Sequence, residues 1–328
     1  MDGITITVIA LALAFDFLNG IHDSSNIVAT MISSRALSPR LALGITALAN
    51  FFGPFIFGVA VAKTIGDEIV AANAINEQVL VAALAAAIFW NLLTWYLGIP
   101  SSSSHTLIGG FIGAVIVGAG WEAIHLGGME KILIALFASP LIGFAAGYLI
   151  LRATILLSWN ATPQINNFFR RSQVVTAVAL ALSHGTNDAQ KTMGLITLAL
   201  VISGNLATFT VPIWVIAACA LMIGLGTALG GWKLIRTLGG KFYKIRPVDG
   251  FAAQMASSAV ILGASLIGGP VSTTQVVSSA IMGVGTAERA NKVRWGVAQE
   301  ILVTWALTIP VSALIAAGVY YLLDMVLK

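Results

Sequence analysis

Apolar stretches of about 20 residues recur from one end of the sequence to the other, and no other feature constrains the chain as strongly. A helix of that length matches the hydrocarbon thickness of a bilayer. In lipid, only helices or closed barrels satisfy every backbone polar group. Only 9% of the 328 residues are charged, against roughly 25% in a soluble domain. The alternating pattern of a membrane β-barrel is absent. The sequence therefore predicts an all-α, polytopic membrane protein. Cys219 is the single cysteine and lies in an apolar run, which argues against a disulfide framework or a Cys-based metal site. The basic residues fall in loops, so the net charge of +4 reads as topology and not as nucleic-acid binding.

One of these spans carries polar residues that a structural helix does not need. "FDFLNGIHDSSN" (15–26) places Asp16, Asn19, His22, Asp23 and Asn26 at membrane depth. It has a counterpart 165 residues on, where "NGIHD" (19–23) aligns with "HGTND" (184–188). A second pair follows in the same order: "GIPSSSSHTLIGG" from Gly98 and "GPVSTTQVVSSA" from Gly269, with Pro100 over Pro270 at an offset of 170. Two polar motifs repeated in order indicate an internal duplication. We divide the chain into a first repeat, 1–165, and a second, 166–328. Each repeat is expected to hold a long helix (4–32; 173–202), a second helix (41–62; 207–231), a segment broken at Pro-Ser/Thr (79–119; 250–285) and a final helix (131–156; 297–325).

Charge predicts that the repeats are inverted. Following the alternation of sides, 13 of the 17 Lys and Arg residues fall on one face: Arg35 and Arg40, Arg152, Arg170 and Arg171, the five between 233 and 246, and the three between 289 and 294. The opposite face receives Lys63, Lys131 and Lys328, together with the acidic loop residues Asp67, Glu68, Glu77, Glu122 and Glu130. By the positive-inside rule the first set is cytoplasmic. Both termini are then expected outside a plasma (inner) membrane. Interrupted segments at corresponding places in the two halves point to a transporter binding site.

The chemistry of the two motifs is complementary. A proline that ends a helix, followed by residues favoured at N-caps, restarts a helix whose free N–H groups and dipole suit an oxyanion. The candidate anion donors are Ser102, Ser103, Ser104 and His105, then Ser272, Thr273, Thr274 and Gln275, with Asn26, Gln190 and Lys191 beside them. Gly20 and Gly185 are expected to let their helices unwind and free carbonyls next to Asp23 and Asp188. Asp23, Asn26, Asn187, Asp188 and Ser24 would then ligate a hard cation such as Na⁺. Lys191 can neutralise only one aspartate. Two carboxylates and a divalent oxyanion cannot share a dry pocket with one ammonium, since one isolated buried carboxylate already costs on the order of tens of kcal/mol. The cation must enter with the anion, as a symported coupling ion, and no organic cofactor is expected. His22 and His184 read as hydrogen-bonding spacers; the roles of Asp16 and Glu300, also placed at membrane depth, are left open. With no arginine near the motifs the bidentate grip on an oxyanion is forgone. The small-xxx-small spacing of Gly109 and Gly113 suggests close helix packing.

"FDFLNGIHDSSNIVATMISSRALSP", "WNLLTWYLGIPSSSSHTLIGG", "SHGTNDAQKTMG" and "GPVSTTQ" together resemble the signature blocks of the inorganic phosphate transporter (PiT) family, in order and along essentially the whole chain. The resemblance implies a secondary carrier of inorganic phosphate coupled to Na⁺ or H⁺, built on inverted repeats with two re-entrant hairpins, and a homodimer. It places Asp23, Asn26, Asn187 and Asp188 in the family's Asn-Asp motifs, and Ser102 to Ser104 and Ser272 to Thr274 at its hairpin tips. Gln275 stands where many members carry His, and Asn50 and Gln254 stand where some eukaryotic members carry Glu. The leading expectation is Na⁺-coupled import of phosphate. H⁺ coupling, metal-phosphate transport and sulfate transport remain as alternatives within the family. From a different class, an intramembrane lipid-phosphate phosphatase would need an Arg or Glu beside a nucleophile in the cavity.

Overall fold

The computed structural model describes residues 2–70, 74–240 and 243–327; Lys241, Lys328 and residues 71–73 of the acidic loop lie outside the described residues. Every regular element among the described residues is helical, apart from one isolated bridge between Val70 and Ile124. The first half runs α1 (Gly3–Ser33), α2 (Pro39–Phe57), a short α3 (Ala60–Lys63) continued by a π turn (Thr64–Glu68), α4 (Glu77–Leu97), α5 (Ser103–Ala119) and α6 (Leu126–Leu157). The second runs α7 (Ile165–Ile202), α8 (Ile213–Leu229), α9 (Trp232–Gly240), α10 (Pro247–Leu266), α11 (Thr273–Glu288) and α12 (Trp295–Leu327). The expected second helix of the first half is thus divided in two, whereas α8 lies undivided within the expected 207–231 and α9 is a helix where a cytoplasmic loop was expected.

The packing exchanges the halves. Between the halves, α1 lies on α8, α7 on α2, α6 on α11 and α12 on α5; within them, α1 lies on α4 and α7 on α10. Among the described residues, five helices (α1, α2, α4, α6 and α12) are long and apolar enough to cross a membrane. Large apolar side chains such as Leu141, Leu149, Leu221, Leu314 and Leu322 are exposed on the outer helices. In a monomer facing water they would be a liability; facing lipid they are at home. Glu300 is exposed, five residues into α12.

The expectation of unwound helices at Gly20 and Gly185 is also corrected. α1 and α7 run through both positions without interruption. The glycines serve close approach instead: a Cβ on Gly20 would lie 2.3 Å from the Ile223 carbonyl oxygen of α8, and one on Gly185 would lie 2.1 Å from the Asn50 carbonyl oxygen of α2. Gly109 and Gly113 likewise seat α5 against Ser312 and Ala313 of α12.

The helix breaks occur at the Pro-Ser/Thr motifs, and the two are built alike. α4 ends with Gly98 at φ 71°, its N–H on the Trp95 carbonyl, and the Ile99 N–H on the Thr94 carbonyl. α10 ends with Gly268 at φ 73°, its N–H on the Ser265 carbonyl, and the Gly269 N–H on the Ala264 carbonyl. Both are Schellman endings, which need a residue at ease with positive φ. α5 then restarts with the Ser102 hydroxyl accepting from the His105 N–H (3.1 Å), and α11 with the Ser272 hydroxyl accepting from the Gln275 N–H (3.3 Å).

Candidate functional site

The two hairpin turns meet. Ser272 Oγ donates to Ser102 Oγ at 2.7 Å, and residues 101–105 and 271–275 are all buried. Beside them lie the middles of α1 and α7, which bring Asp23 and Asp188 to the same place. α7, at 38 residues the longest helix among the described residues, owes its polar stripe to this position.

The hydroxyls of the turns hold the two carboxylates. Asp23 Oδ1 accepts from Thr274 Oγ1 (3.0 Å), and Asp23 Oδ2 accepts from Ser103 Oγ (3.2 Å). Thr273 Oγ1 stands between the aspartates, 2.9 Å from Asp188 Oδ2 and 3.4 Å from Asp23 Oδ2. Its single proton serves one of them at a time. Lys191, one turn beyond Asp188, is buried and forms an ion pair with it; the ammonium also donates to Ser104 Oγ (2.6 Å) and to the Val271 carbonyl (3.0 Å). One cation therefore ties α7 to both turns.

Two histidines belong to this cluster, a fact that sequence reasoning missed when it read them as spacers. His22 Nδ1 is 2.9 Å from Asp23 Oδ1. His184 Nε2 is 2.9 Å from Asp188 Oδ2 and 3.6 Å from Asp23 Oδ2, while its Nδ1 faces Asn50 Oδ1 at 3.2 Å. The spacing of His184 and Asp188, one helical turn apart, was the available signal. Ligand atoms of Asp23, His184 and Asp188 lie within 4.8 Å of one another, and all three residues are buried.

Asn26 donates its amide to Thr274 Oγ1 (3.0 Å), and Asn187 donates to Ser265 Oγ (2.8 Å) and to the Gly269 carbonyl (3.3 Å). The Oδ1 atoms of both are buried and accept no hydrogen bond among the described residues. An orphaned buried acceptor is costly. Each of the two lies within three residues of an aspartate in sequence, Asn26 after Asp23 and Asn187 before Asp188.

Two expected ligands are engaged elsewhere. Ser24 donates to the Ile21 carbonyl (2.7 Å) and accepts the Gly231 N–H (2.7 Å), so it fastens α1 to the α8–α9 junction. Gln190 accepts the Val61 and Ala62 N–H groups (2.7 and 3.3 Å) and donates to the Gly58 carbonyl (2.6 Å), capping α3. His105 and Gln275 sit one turn behind the tips and face each other at 3.4 Å, not the carboxylates. Asp16 is buried two turns from Asp23 and accepts from Thr192 Oγ1 (2.6 Å), outside the cluster.

The set has a plain chemical reading. Two carboxylates face one ammonium, and three of the hydroxyls that could hold an oxyanion, those of Ser103, Thr273 and Thr274, are bonded to the carboxylates that could hold a cation. Neither set is free until the other is met. Among the described residues no arginine touches the cluster.

Comparison with known proteins follows the same lines. A model of the phosphate transporter family matches residues 19–163 and 157–316. The chain is 48% identical to "Probable low-affinity inorganic phosphate transporter" of Bacillus subtilis (strain 168), over 98% of each chain. It is 44% identical to a protein of the same name from Rhizobium meliloti (strain 1021), over 98% of this chain and 97% of that one. Among solved structures it matches "The sodium-dependent phosphate transporter" with a TM-score of 0.92 at 24% identity, over 99% of this chain and 100% of the other. That likeness carries the fold.

Proposed function

This chain belongs to the phosphate transporter family, and on that premise we propose that it imports inorganic phosphate across the plasma membrane by symport with Na⁺. It is a transporter and not an enzyme, so the phosphatase reading is withdrawn. The observation that carries the choice of Na⁺ is the pair of buried, unpartnered Asn26 and Asn187 oxygens beside two carboxylates. Na⁺ bound to Asp23, Asn26, Asn187 and Asp188 would take over the carboxylate oxygens. That releases the hydroxyls of Ser103, Thr273 and Thr274, which join those of Ser102, Ser104 and Ser272, Lys191 and the two helix N-termini in donating to phosphate. His105 and Gln275 support the tips from behind.

Coupling then follows from charge. The cluster carries two carboxylates and one ammonium beside its two histidines, and phosphate adds one or two negative charges. Closing such a site without cations costs far more than a binding site can supply. Donors without arginine hold phosphate modestly, which suits a carrier that must release it. In this reading residues 1–165 and 166–328 are inverted repeats, the hairpins are re-entrant, both termini lie outside, and the protein is a homodimer. The driving force includes about 2.3 kcal/mol per net charge per 100 mV.

The test is phosphate uptake into proteoliposomes with Na⁺ or choline outside at fixed pH. Na⁺ should stimulate uptake strongly, and uptake indifferent to Na⁺ would remove the coupling claim. One observation favours a second reading, H⁺ coupling: His22 and His184 both touch the aspartates. In that case an inward pH gradient drives uptake in choline.

A further inference from the structure

Two cavities are related by the same 170-residue offset as the hairpin turns. One, of 780 Å³, lies between α6 and α10; Gly127, Glu130, Lys131 and Ile134 line it, and it reaches Gly269 and Val271 of the second turn. The other, of 680 Å³, is lined by Val297, Glu300, Ile301 and Thr304 of α12 and reaches Ile99 and Pro100 of the first turn. Each of those four α6 positions maps onto its α12 counterpart, and Gly269 maps onto Ile99. The duplication has therefore produced one cavity per hairpin turn.

The two mouths face opposite ends of the molecule. Ile124, just before α6, bridges Val70, and the His125 N–H donates to the Ile69 carbonyl at 2.8 Å. Tyr320, near the C-terminal end of α12, belongs to that same end, because its hydroxyl accepts from Asn76 at 3.3 Å and its ring lies against Gly118. Glu300 precedes Tyr320 by 20 residues on one helix, about 30 Å at 1.5 Å per residue, which is the thickness of a hydrocarbon core.

Each cavity also ends on the site. The Val271 carbonyl accepts from Lys191 and from Ser104, both at 3.0 Å, and Pro100 stands two residues before Ser102. At each mouth there is one unpaired carboxylate. Lys131 is engaged with Glu68 (3.1 Å) and Thr64 (3.2 Å), whereas Glu130 and Glu300 are exposed and have no side-chain hydrogen bond or ion pair among the described residues.

We propose that the two cavities are cation ports, with Glu130 collecting the coupling cation on the outer face and Glu300 on the cytoplasmic face. A single negative charge at the mouth of an apolar cleft focuses the field, concentrates cations and repels an oxyanion until a cation has arrived. Cation entry then precedes phosphate entry from either side. The inference rests on Na⁺ symport and on the proposed topology.

The experiment compares wild type, Glu130→Gln and Glu300→Gln in right-side-out and everted membrane vesicles at low ionic strength, varying Na⁺ outside the vesicle. Glu130→Gln should raise the half-saturating Na⁺ concentration roughly three- to ten-fold in right-side-out vesicles, with a maximal rate near wild type and little change in everted ones. Glu300→Gln should do the reverse, and both shifts should shrink when choline chloride is added. A preserved maximal rate also reports correct folding. Variants that match a Na⁺-dependent wild type, or that shift both faces equally, overturn the ports and leave the symport reading standing. A wild type indifferent to Na⁺ overturns both.

Discussion

At the scale of single residues, Thr273 shows how the site works. Its hydroxyl can satisfy Asp188 or Asp23 but not both, so the two carboxylates compete for donors that phosphate would also use. Asp23→Asn or Asp188→Asn should abolish Na⁺ stimulation of phosphate uptake in proteoliposomes, while Thr274→Ala should raise the phosphate KM before it lowers the maximal rate. Normal Na⁺ stimulation in both aspartate variants would refute the cation assignment. Ser24→Ala is the contrast: it loses the acceptor for the Gly231 N–H and should cost about 1–2 kcal/mol of stability with Na⁺ dependence intact, as read by thermal unfolding and uptake together. Residue types at membrane depth pointed to Asp23, Asp188 and Lys191. What they could not show was direction. Ser24 and Gln190 sit within two residues of the aspartates, yet the helical turn rotates them towards α8–α9 and α3, where they satisfy backbone groups. His184 looked like a spacer because its partner lies one turn away and not beside it.

At the scale of elements, the hairpins were legible because their chemistry is local. A proline, a glycine with positive φ and a Ser N-cap end one helix and start another whatever surrounds them. The glycines before the aspartates were not legible in that way, because glycine permits a hinge and close packing equally. Packing decides it here. Gly20→Ala and Gly185→Ala each push a methyl against a carbonyl oxygen within 2.3 Å, and overpacking of this kind costs about 1–3 kcal/mol. Both variants should unfold at lower temperature in detergent. Unchanged melting with slowed turnover would restore the hinge. α9 escaped notice because Lys233 and Arg236 dominate its composition, although Leu234 and Ile235 are buried and set it against α1.

For the whole molecule, the two halves pack extensively against each other, and neither half can build the site alone: α1 supplies Asp23 while the second turn supplies the Thr274 hydroxyl that binds it. That dependence across 251 residues lies beyond any local pattern. Only the repeat itself, with its 165- and 170-residue offsets, foreshadowed it. The proposed inverted topology predicts that, in a chain with Cys219 replaced, a cysteine at Glu122 reacts with an impermeant maleimide added to intact cells and one at Arg289 reacts only after permeabilisation; both positions are exposed. The central claim is that negative charge in a closed pocket makes phosphate and cation binding one event. The direct measurement is calorimetric titration of phosphate into the purified protein in Na⁺ and in choline at equal ionic strength. Phosphate should bind at least ten-fold more tightly in Na⁺, and by linkage Na⁺ should bind more tightly by the same factor in phosphate. Equal phosphate affinity in the two salts would contradict the account.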